Sequence, residues 1–250
     1  MANAVGKVRR AIRRAMLSGD ELLREKYPDF EPSHFDVMRQ VQPYTLTSPE
    51  RIFAVIEATR YITRRRIPGA IVECGVWRGG SMMAAARTLQ LLGDTDRELY
   101  LFDTFEGMSA PTDHDVDFVG QRAENLLATT ERKEDGIWVC VSLEDVQQAV
   151  GTVGYPASRI HYVRGKVEDT IPANAPDQIA LLRLDTDWYE STRHELEHLY
   201  PRLASGGVII IDDYGHWKGS RQATDEFIAA TPDFGLLTRI DYTGRLAIKP

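Results

Sequence analysis

Cysteine is scarce in this chain. Cys74 and Cys140 are the only two in 250 residues, too few for a disulfide framework, and Cys74 falls inside an apolar run that reads as a core strand. A reduced, intracellular protein with a cytoplasmic location is the expectation. Long apolar runs are also missing. No window approaches the roughly 18 consecutive apolar residues of a membrane-spanning helix, so stable membrane insertion is not expected. Positive charge is in deficit, with 30 basic against 37 acidic residues and a net charge of −7. Such a balance suits a polyanion poorly, which argues against nucleic acid as a partner. Only six of the 30 basic residues are lysine, an arginine bias associated with a GC-rich bacterial genome. The N-terminus carries Lys7, Arg9, Arg10, Arg13 and Arg14 without the apolar stretch of a secretory signal.

What the chain does have is aliphatic runs that end in acids. Ile179-Ala-Leu-Leu-Arg-Leu stops at Asp185-Thr-Asp187, and Gly206-Gly-Val-Ile-Ile-Ile stops at Asp212-Asp213. Each reads as a buried strand delivering carboxylates to the carboxyl edge of a sheet. An extended backbone through Asp187 would send Asp185 and Asp187 to the same face. Four carboxylates at neighbouring strand ends repel unless a cation sits among them, so a divalent metal site is the first expectation.

Around these runs the chain alternates. Residues 2–17 suggest a basic helix with Val8, Ile12, Ala15 and Met16 along one stripe, packing on the domain or on a second subunit and making a homodimer plausible. Residues 28–49, with Pro28, Pro32, Pro43 and Pro49, read as irregular. Ser48 and Pro49 start a helix that runs to about Arg66. Strands follow at 70–74, 98–102, 159–163, 178–184 and 207–211, with 137–141 either a strand or only an extended segment, and helices at about 80–92, 143–150, 189–202 and 218–230. A hairpin of 236–241 with 244–249 closes the chain. Residues 104–136 form an inserted loop with a helix near 120–130. The fold class is therefore α/β: a doubly wound, mostly parallel Rossmann-like sheet with a C-terminal antiparallel hairpin and an N-terminal helical extension. The extension covers residues 1–47 and the main domain 48–250. In such sheets ligands bind beyond the strand carboxyl ends, where Asp103, Asp185, Asp187, Asp212 and Asp213 all fall.

Two motifs add a nucleoside-containing cofactor. Val72-Glu73-Cys-Gly75-Val76-Trp77-Arg-Gly-Gly-Ser81 is a strand, a glycine turn and a helix start, whose free amides and Ser81 favour a carboxylate or phosphate. Glu73 suits an ammonium or hydroxyl group. About 30 residues on, Asp103 ends the next strand, where an acid binds ribose hydroxyls.

On these residues the chain resembles class I S-adenosylmethionine-dependent methyltransferases, and more narrowly the TylF/MycF/NovP macrocin-type sugar O-methyltransferases. The matching stretches are Val72–Gly80, Phe102–Gly107, Leu184–Tyr189 and Tyr200–Tyr214. The resemblance implies that Asp185, Asp212 and Asp213 bind Mg²⁺ and that Asp187 is the general base. It puts Glu73, Gly75, Val76, Trp77 and Ser81 around the methionine part of the cofactor and Asp103, with Thr104, on the ribose. Lys166 and Val167 fall near the adenine, where relatives carry a Trp-Phe pair. Thr45 and Leu46 stand in the place of a Thr-Met pair that lines the cofactor.

The residue chemistry agrees. Three carboxylates make a hard, all-oxygen site suited to Mg²⁺, and a nearby carboxylate can take a proton as a sugar oxygen attacks the sulfonium methyl. His216, just after the acidic pair, is a second candidate for contact with substrate or for the base. His114 reads as exposed, and His194 and His198 as surface residues. The implied partner is a sugar-containing small molecule or an oligosaccharide. A catechol-type O-methyltransferase and a metal-dependent glycosyltransferase using Asp185-Thr-Asp187 are the competing readings.

Overall fold

A computed structural model describes residues 19–131 and 137–250. The basic helix expected over 2–17 lies outside them. Two helices come first, α1 (Gly19–Lys26) and α2 (Pro32–Val41), followed by α3 (Pro49–Arg64). The expectation of irregular chain over 28–49 is corrected by α2. Pro32 occupies the first turn of this helix, where the missing N–H costs nothing, and Pro43 follows its end. The prolines punctuate the segment without preventing a helix. A reciprocal cap between Glu31 and His34 fixes its start, with Glu31 N donating to His34 Nδ1 at 2.8 Å. Helix α3 begins as its sequence suggests, Ser48 Oγ accepting from Arg51 N at 3.2 Å.

The sheet comprises β1 (Ala70–Cys74), β2 (Leu99–Asp103), β3 (Ile160–Arg164), β4 (Ile179–Leu184), β5 (Leu203–Ile211), β6 (Thr238–Arg239) and β7 (Arg245–Ile248). Their order is β3-β2-β1-β4-β5-β7-β6. Strands β1 to β5 are mutually parallel, and β7 runs antiparallel to both β5 and β6. Helices α4 (Gly80–Leu92), α5 (Ala123–Thr129), α6 (Leu143–Gly151), α7 (Val167–Thr170), α8 (Tyr189–Leu199) and α9 (Lys218–Ala230) follow, and single 3-10 turns lie at Gln42–Tyr44, Ala157–Arg159 and Tyr200–Arg202. Of the two readings of residues 137–141 the strand is not formed; they are irregular chain, with Val139 at a φ of 40°.

Period-two alternation divides the core into two layers. Ile71, Leu99, Leu101, Leu181, Val208 and Ile210 face α2, α3 and α4, joining Val37, Val41, Ile56 and Leu89. Val72, Phe102, Leu182, Leu184, Ile209 and Ile211 face the opposite way, with Leu196 and Leu199 of α8. A sheet covered on both sides explains why β1 and β4 are buried at every position. Among the described residues no helix is long and apolar enough to cross a membrane.

Candidate active site

Strands β1, β4 and β5 end level with one another. Cys74 pairs with Leu184 and Leu184 with Ile211, so the residues that follow emerge side by side. Asp185 N donates to Cys74 O at 2.8 Å and Asp212 N to Leu184 O at 2.9 Å. Only glycine fits at 75. Its φ is +82°, and a Cβ there would lie 2.0 Å from Asp185 O. The order reverses between β1 and β4, which is the crevice where doubly wound sheets bind ligands.

Past Leu184 the chain leaves the strand and turns. Asp187 adopts φ +69°, a left-handed conformation that costs a non-glycine residue about 1 kcal/mol or more and clusters at functional sites. The turn is tied down from both sides. Thr186 Oγ1 donates to the buried Glu195 Oε1 at 2.9 Å, Trp188 N to Thr186 O at 2.8 Å, and Asp187 N to Asp213 Oδ2 at 3.3 Å. Asp185 and Asp187 thus meet through a turn, and not through the strand alternation that the sequence suggested.

Carboxylate oxygens of Asp185, Asp187 and Asp213 lie within 4.8 Å of one another. Burial pushes Asp185 and Asp213 well above the ordinary carboxylate range, and Asp187 to about 7; repulsion from neighbouring acids adds to each shift. Asp212 is different. Burial works against its charge, yet Arg183 and Arg51 hold it below its ordinary value. Arg183 Nη2 donates to Asp212 Oδ1 at 2.6 Å, and Arg51 Nη1 donates to Oδ2. So the structure gathers a trio that includes Asp187, with Asp212 alongside it in the grip of two guanidinium groups.

Arg183 and Arg51 went unremarked in the sequence. Arg183 lies opposite Glu73 in the β1–β4 register, and its Nη1 is 2.7 Å from both Glu73 Oε1 and Asp185 Oδ2. A single charge inside the aliphatic run Ile179–Leu184 was the available signal, because a buried arginine needs acidic partners. Arg51 had none, since its partners Asp212 and Asp241 are far away in the sequence.

A cavity of about 640 Å³ opens from these acids, within the range of small-molecule sites. Thr45, Leu46, Gly75, Val76, Trp77, Ser81, Asp103, Thr104, Lys166 and Val167 line it, together with all four acids and His216. Glu73 does not. It is 2% exposed, its Oε2 has no hydrogen-bond partner, and burial raises it to about 7. Its partner is Arg183, which does line the cavity and whose Nη1 donates to Glu73 Oε1 at 2.7 Å. Asp103 accepts from Val76 N at 2.7 Å, Trp77 N at 3.3 Å and Phe105 N at 2.7 Å, which fastens the end of β2 to the glycine turn. Burial still leaves its carboxyl raised. Thr104 Oγ1 donates to Gly107 O at 2.7 Å.

The far wall comes from the expected inserted loop, 104–136, and from the segment 137–141 that follows it. Met108, Ser109, Leu126, Thr130, Ile137 and Val139 line the cavity there. None of them carried a sequence signal. His216 Nδ1 is 3.3 Å from Tyr242 Oη, and burial lowers its pKa. His114 stacks on Tyr189 at 4.3 Å, and His194 is 2.9 Å from Ile171 O; neither lines the cavity.

The strand order, the terminal antiparallel hairpin and the cleft beyond β1 and β4 define the Rossmann-like class I methyltransferase fold. Solved structures agree. The O-methyltransferase NovP superposes with a TM-score of 0.71 and 29% identity over 82% of each chain. CalS11, described as a TDP-rhamnose 3′-O-methyltransferase, shares the fold with a TM-score of 0.60 at 18% identity, over 94% of this chain and 97% of its own. The macrocin O-methyltransferase (TylF) family model matches residues 18–247, and the chain belongs to that family. Among similar proteins, a tetracenomycin 4′-O-methyltransferase of Streptomyces olivaceus, which acts on a dimethoxy-rhamnosyl derivative, is 39% identical over 71% of this chain and 65% of its own length. The demethyldecarbamoylnovobiocin O-methyltransferase of Streptomyces niveus is 29% identical over 80% and 74%. The mycinamicin III 3″-O-methyltransferase of Micromonospora griseorubida is 31% identical over 68% and 65%. The chain thus spans about two thirds to three quarters of the curated relatives it matches.

Proposed function

We propose that this chain is an S-adenosylmethionine- and Mg²⁺-dependent O-methyltransferase acting on a sugar hydroxyl of a glycosylated small molecule. The observation that carries this reading is one cavity with two chemically distinct ends. One end holds a glycine turn and Asp103, suited to a nucleoside and an amino acid. The other end holds acids whose pKa values are pushed up by burial first and by one another's charge second, a combination that a bound cation would relieve.

Asp185 and Asp213 are assigned as metal ligands with Asp212 as the third. Arg183 and Arg51 keep Asp212 ionised, and each of its oxygens retains a lone pair beyond the guanidinium hydrogen bond. Bound Mg²⁺ would supply the charge stabilisation that lets a sugar hydroxyl ionise near neutral pH. Asp187 is the carboxylate left to take the proton on one of its oxygens. Without a cation, burial raises its pKa to about 7, and a cation bound among the neighbouring acids would favour the ionised form that a base requires. The left-handed turn holds Asp187 at the acid end. Met108, Leu126 and Ile137 give the cavity an apolar wall that would exclude water around a bound cofactor, whose sulfonium would supply the methyl group.

The direct test is calorimetric titration of S-adenosylmethionine and S-adenosylhomocysteine into the protein, in Mg²⁺ and in chelator. Binding of both, with metal-enhanced heat on adding glycoside acceptors, is expected. Failure of both, with binding of a nucleotide sugar in their place, would overturn the methyltransferase in favour of a metal-dependent glycosyltransferase. A cytoplasmic homodimer remains our expectation for the full chain, and light scattering in solution checks the dimer.

A further inference from the structure

The acid end of the cavity opens onto an aromatic surface that the reaction itself does not use. Phe118 is 57% exposed, its neighbour Val119 65% and Tyr242 55%. The Phe118 ring centroid lies 5.3 Å from His216 and 6.3 Å from Tyr242. His216 and Tyr242 also line the cavity, so this surface continues the wall that begins at Asp213. Behind it the rings go on inward, His216 to Trp217 at 5.0 Å and Trp217 to Trp188 at 4.9 Å. Both tryptophans are buried, and Trp188 Nε1 donates to Ser109 O at 3.1 Å. The exposed rings therefore rest on a fixed base.

Phe118 is also held in the open by design of its turn. Asp117 Oδ1 accepts from Val119 N at 3.0 Å and from Gln121 N at 2.7 Å, closing a tight loop on either side of the ring. The fully buried Asp115 accepts from Thr112 N at 2.6 Å and from Tyr189 N at 2.8 Å, which ties the loop to the start of α8. Lys218 N donates to Val116 O at 2.8 Å and ties it to α9. Two adjacent apolar side chains kept in water by a fully anchored turn lose hydrophobic stabilisation that a ligand would restore.

We propose that Phe118, Tyr242 and His216 form an acceptor platform that stacks against a flat apolar ring system joined to the methylated sugar. Charge favours this occupant over a nucleoside diphosphate sugar. Among the described residues lining the cavity the cations are Arg51, Arg183 and Lys166. The first two are committed to carboxylates, and the third belongs to the opposite, cofactor end. A diphosphate would meet acids and ring faces, whereas an apolar ring gains dispersion and burial against all three aromatics. Phe118 and Tyr242 thus select the acceptor and leave the chemistry to the acids.

This inference rests on the methyltransferase reading, and the experiment separates the two. Protein saturated with S-adenosylhomocysteine is titrated with a panel of 4-nitrophenyl glycosides, the matching methyl glycosides, and TDP-rhamnose. At least one 4-nitrophenyl glycoside should bind about tenfold more tightly than its methyl counterpart. That preference should collapse in Phe118→Ala and in Tyr242→Ala, with S-adenosylhomocysteine affinity unchanged in both. Equal binding of aryl and methyl glycosides, tighter binding of TDP-rhamnose, binding of none of the panel, or an aryl preference that survives both substitutions would each overturn the platform. Loss of S-adenosylhomocysteine binding in the unsubstituted protein would instead defeat the methyltransferase reading beneath it.

Discussion

Arg183 donates to Asp212 at 2.6 Å across the ends of two adjacent strands, while among the described residues no guanidinium forms an ion pair with Asp187 or Asp213. Positive charge in the acid cluster is therefore unevenly shared. Asp212 has two cationic partners, Arg183 and Arg51, and Asp185 shares Arg183 with Glu73. Unequal compensation separates the two acids: Asp212 is held below its ordinary value and Asp187 is raised to about 7, the difference on which the proposed division into ligand and base rests.

Arg183→Met removes the common partner of three acids and leaves buried carboxylates uncompensated. Breaking such a network costs about 3–5 kcal/mol. Urea denaturation in chelator should show that loss, with Arg183→Lys intermediate because an ammonium cannot span Glu73, Asp185 and Asp212 together. A methionine variant as stable as the parent would mean that the network is not held by this residue.

Removing metal should make stability fall as pH rises. Asp187 and Glu73 both move up to about 7 on folding, from 3.8 and 4.5, and Asp185 and Asp213 also move up. Between the unfolded and folded values the native state binds more protons than the unfolded chain, so the slope of stability against pH is negative there. In chelator, Tm should drop as pH rises from about 5 through 7. Mg²⁺ should raise Tm more at the alkaline end, because its ligands must first lose their protons. Thermal scans with and without Mg²⁺ check both signs, and a chelated protein that gains stability across that interval would contradict the described acid cluster.

Gly75→Ala should be severe although it adds one methyl group. The new Cβ would overlap Asp185 O at 2.0 Å, in a backbone conformation with φ +82° that alanine resists. Strand ends β1 and β4 would have to part, so a loss above about 2 kcal/mol and weakened S-adenosylhomocysteine binding are expected together. Gly93→Ala is the control. It also has positive φ, but nothing lies within 4 Å of its added Cβ, so it should cost about 1 kcal/mol and leave the ligand untouched.

Local pattern made much of this molecule legible. The fully buried runs of β1 and β4 and the Ser48-Pro49 start of α3 read directly, because burial on both faces and helix capping leave local marks. The acids could be read because each ends an apolar run. Other features depend on contacts between distant segments. Arg51 meets Asp212 only after the sheet has formed, and Glu73 meets Arg183 only because the two strands pair in that register. Pro32 misled because a proline that starts a helix has the same sequence signature as one that prevents it. Residues 137–141 left a strand and an extended segment both open, because a short apolar stretch that lines a cavity has the same pattern as a strand.

Asp187 and Asp212 are the pair whose substitution divides base from ligand. Asparagine tolerates left-handed backbone, so Asp187→Asn should keep the turn and leave S-adenosylhomocysteine affinity unchanged. It cannot accept the hydroxyl proton, and turnover should fall about 10²–10⁴-fold. Asp212→Asn removes a charge that two arginines hold in place. If Asp212 is a ligand, the Mg²⁺ concentration for half-maximal binding rises at least about tenfold, the loss typical when a metal's support is weakened. A variant that loses stability yet titrates with Mg²⁺ as before would make Asp212 the anchor of Arg51 and Arg183 alone. The third ligand would then be Asp187, whose oxygens already lie within 4.8 Å of those of Asp185 and Asp213, and the proton would need another acceptor, for which His216 on the same cavity wall is the candidate.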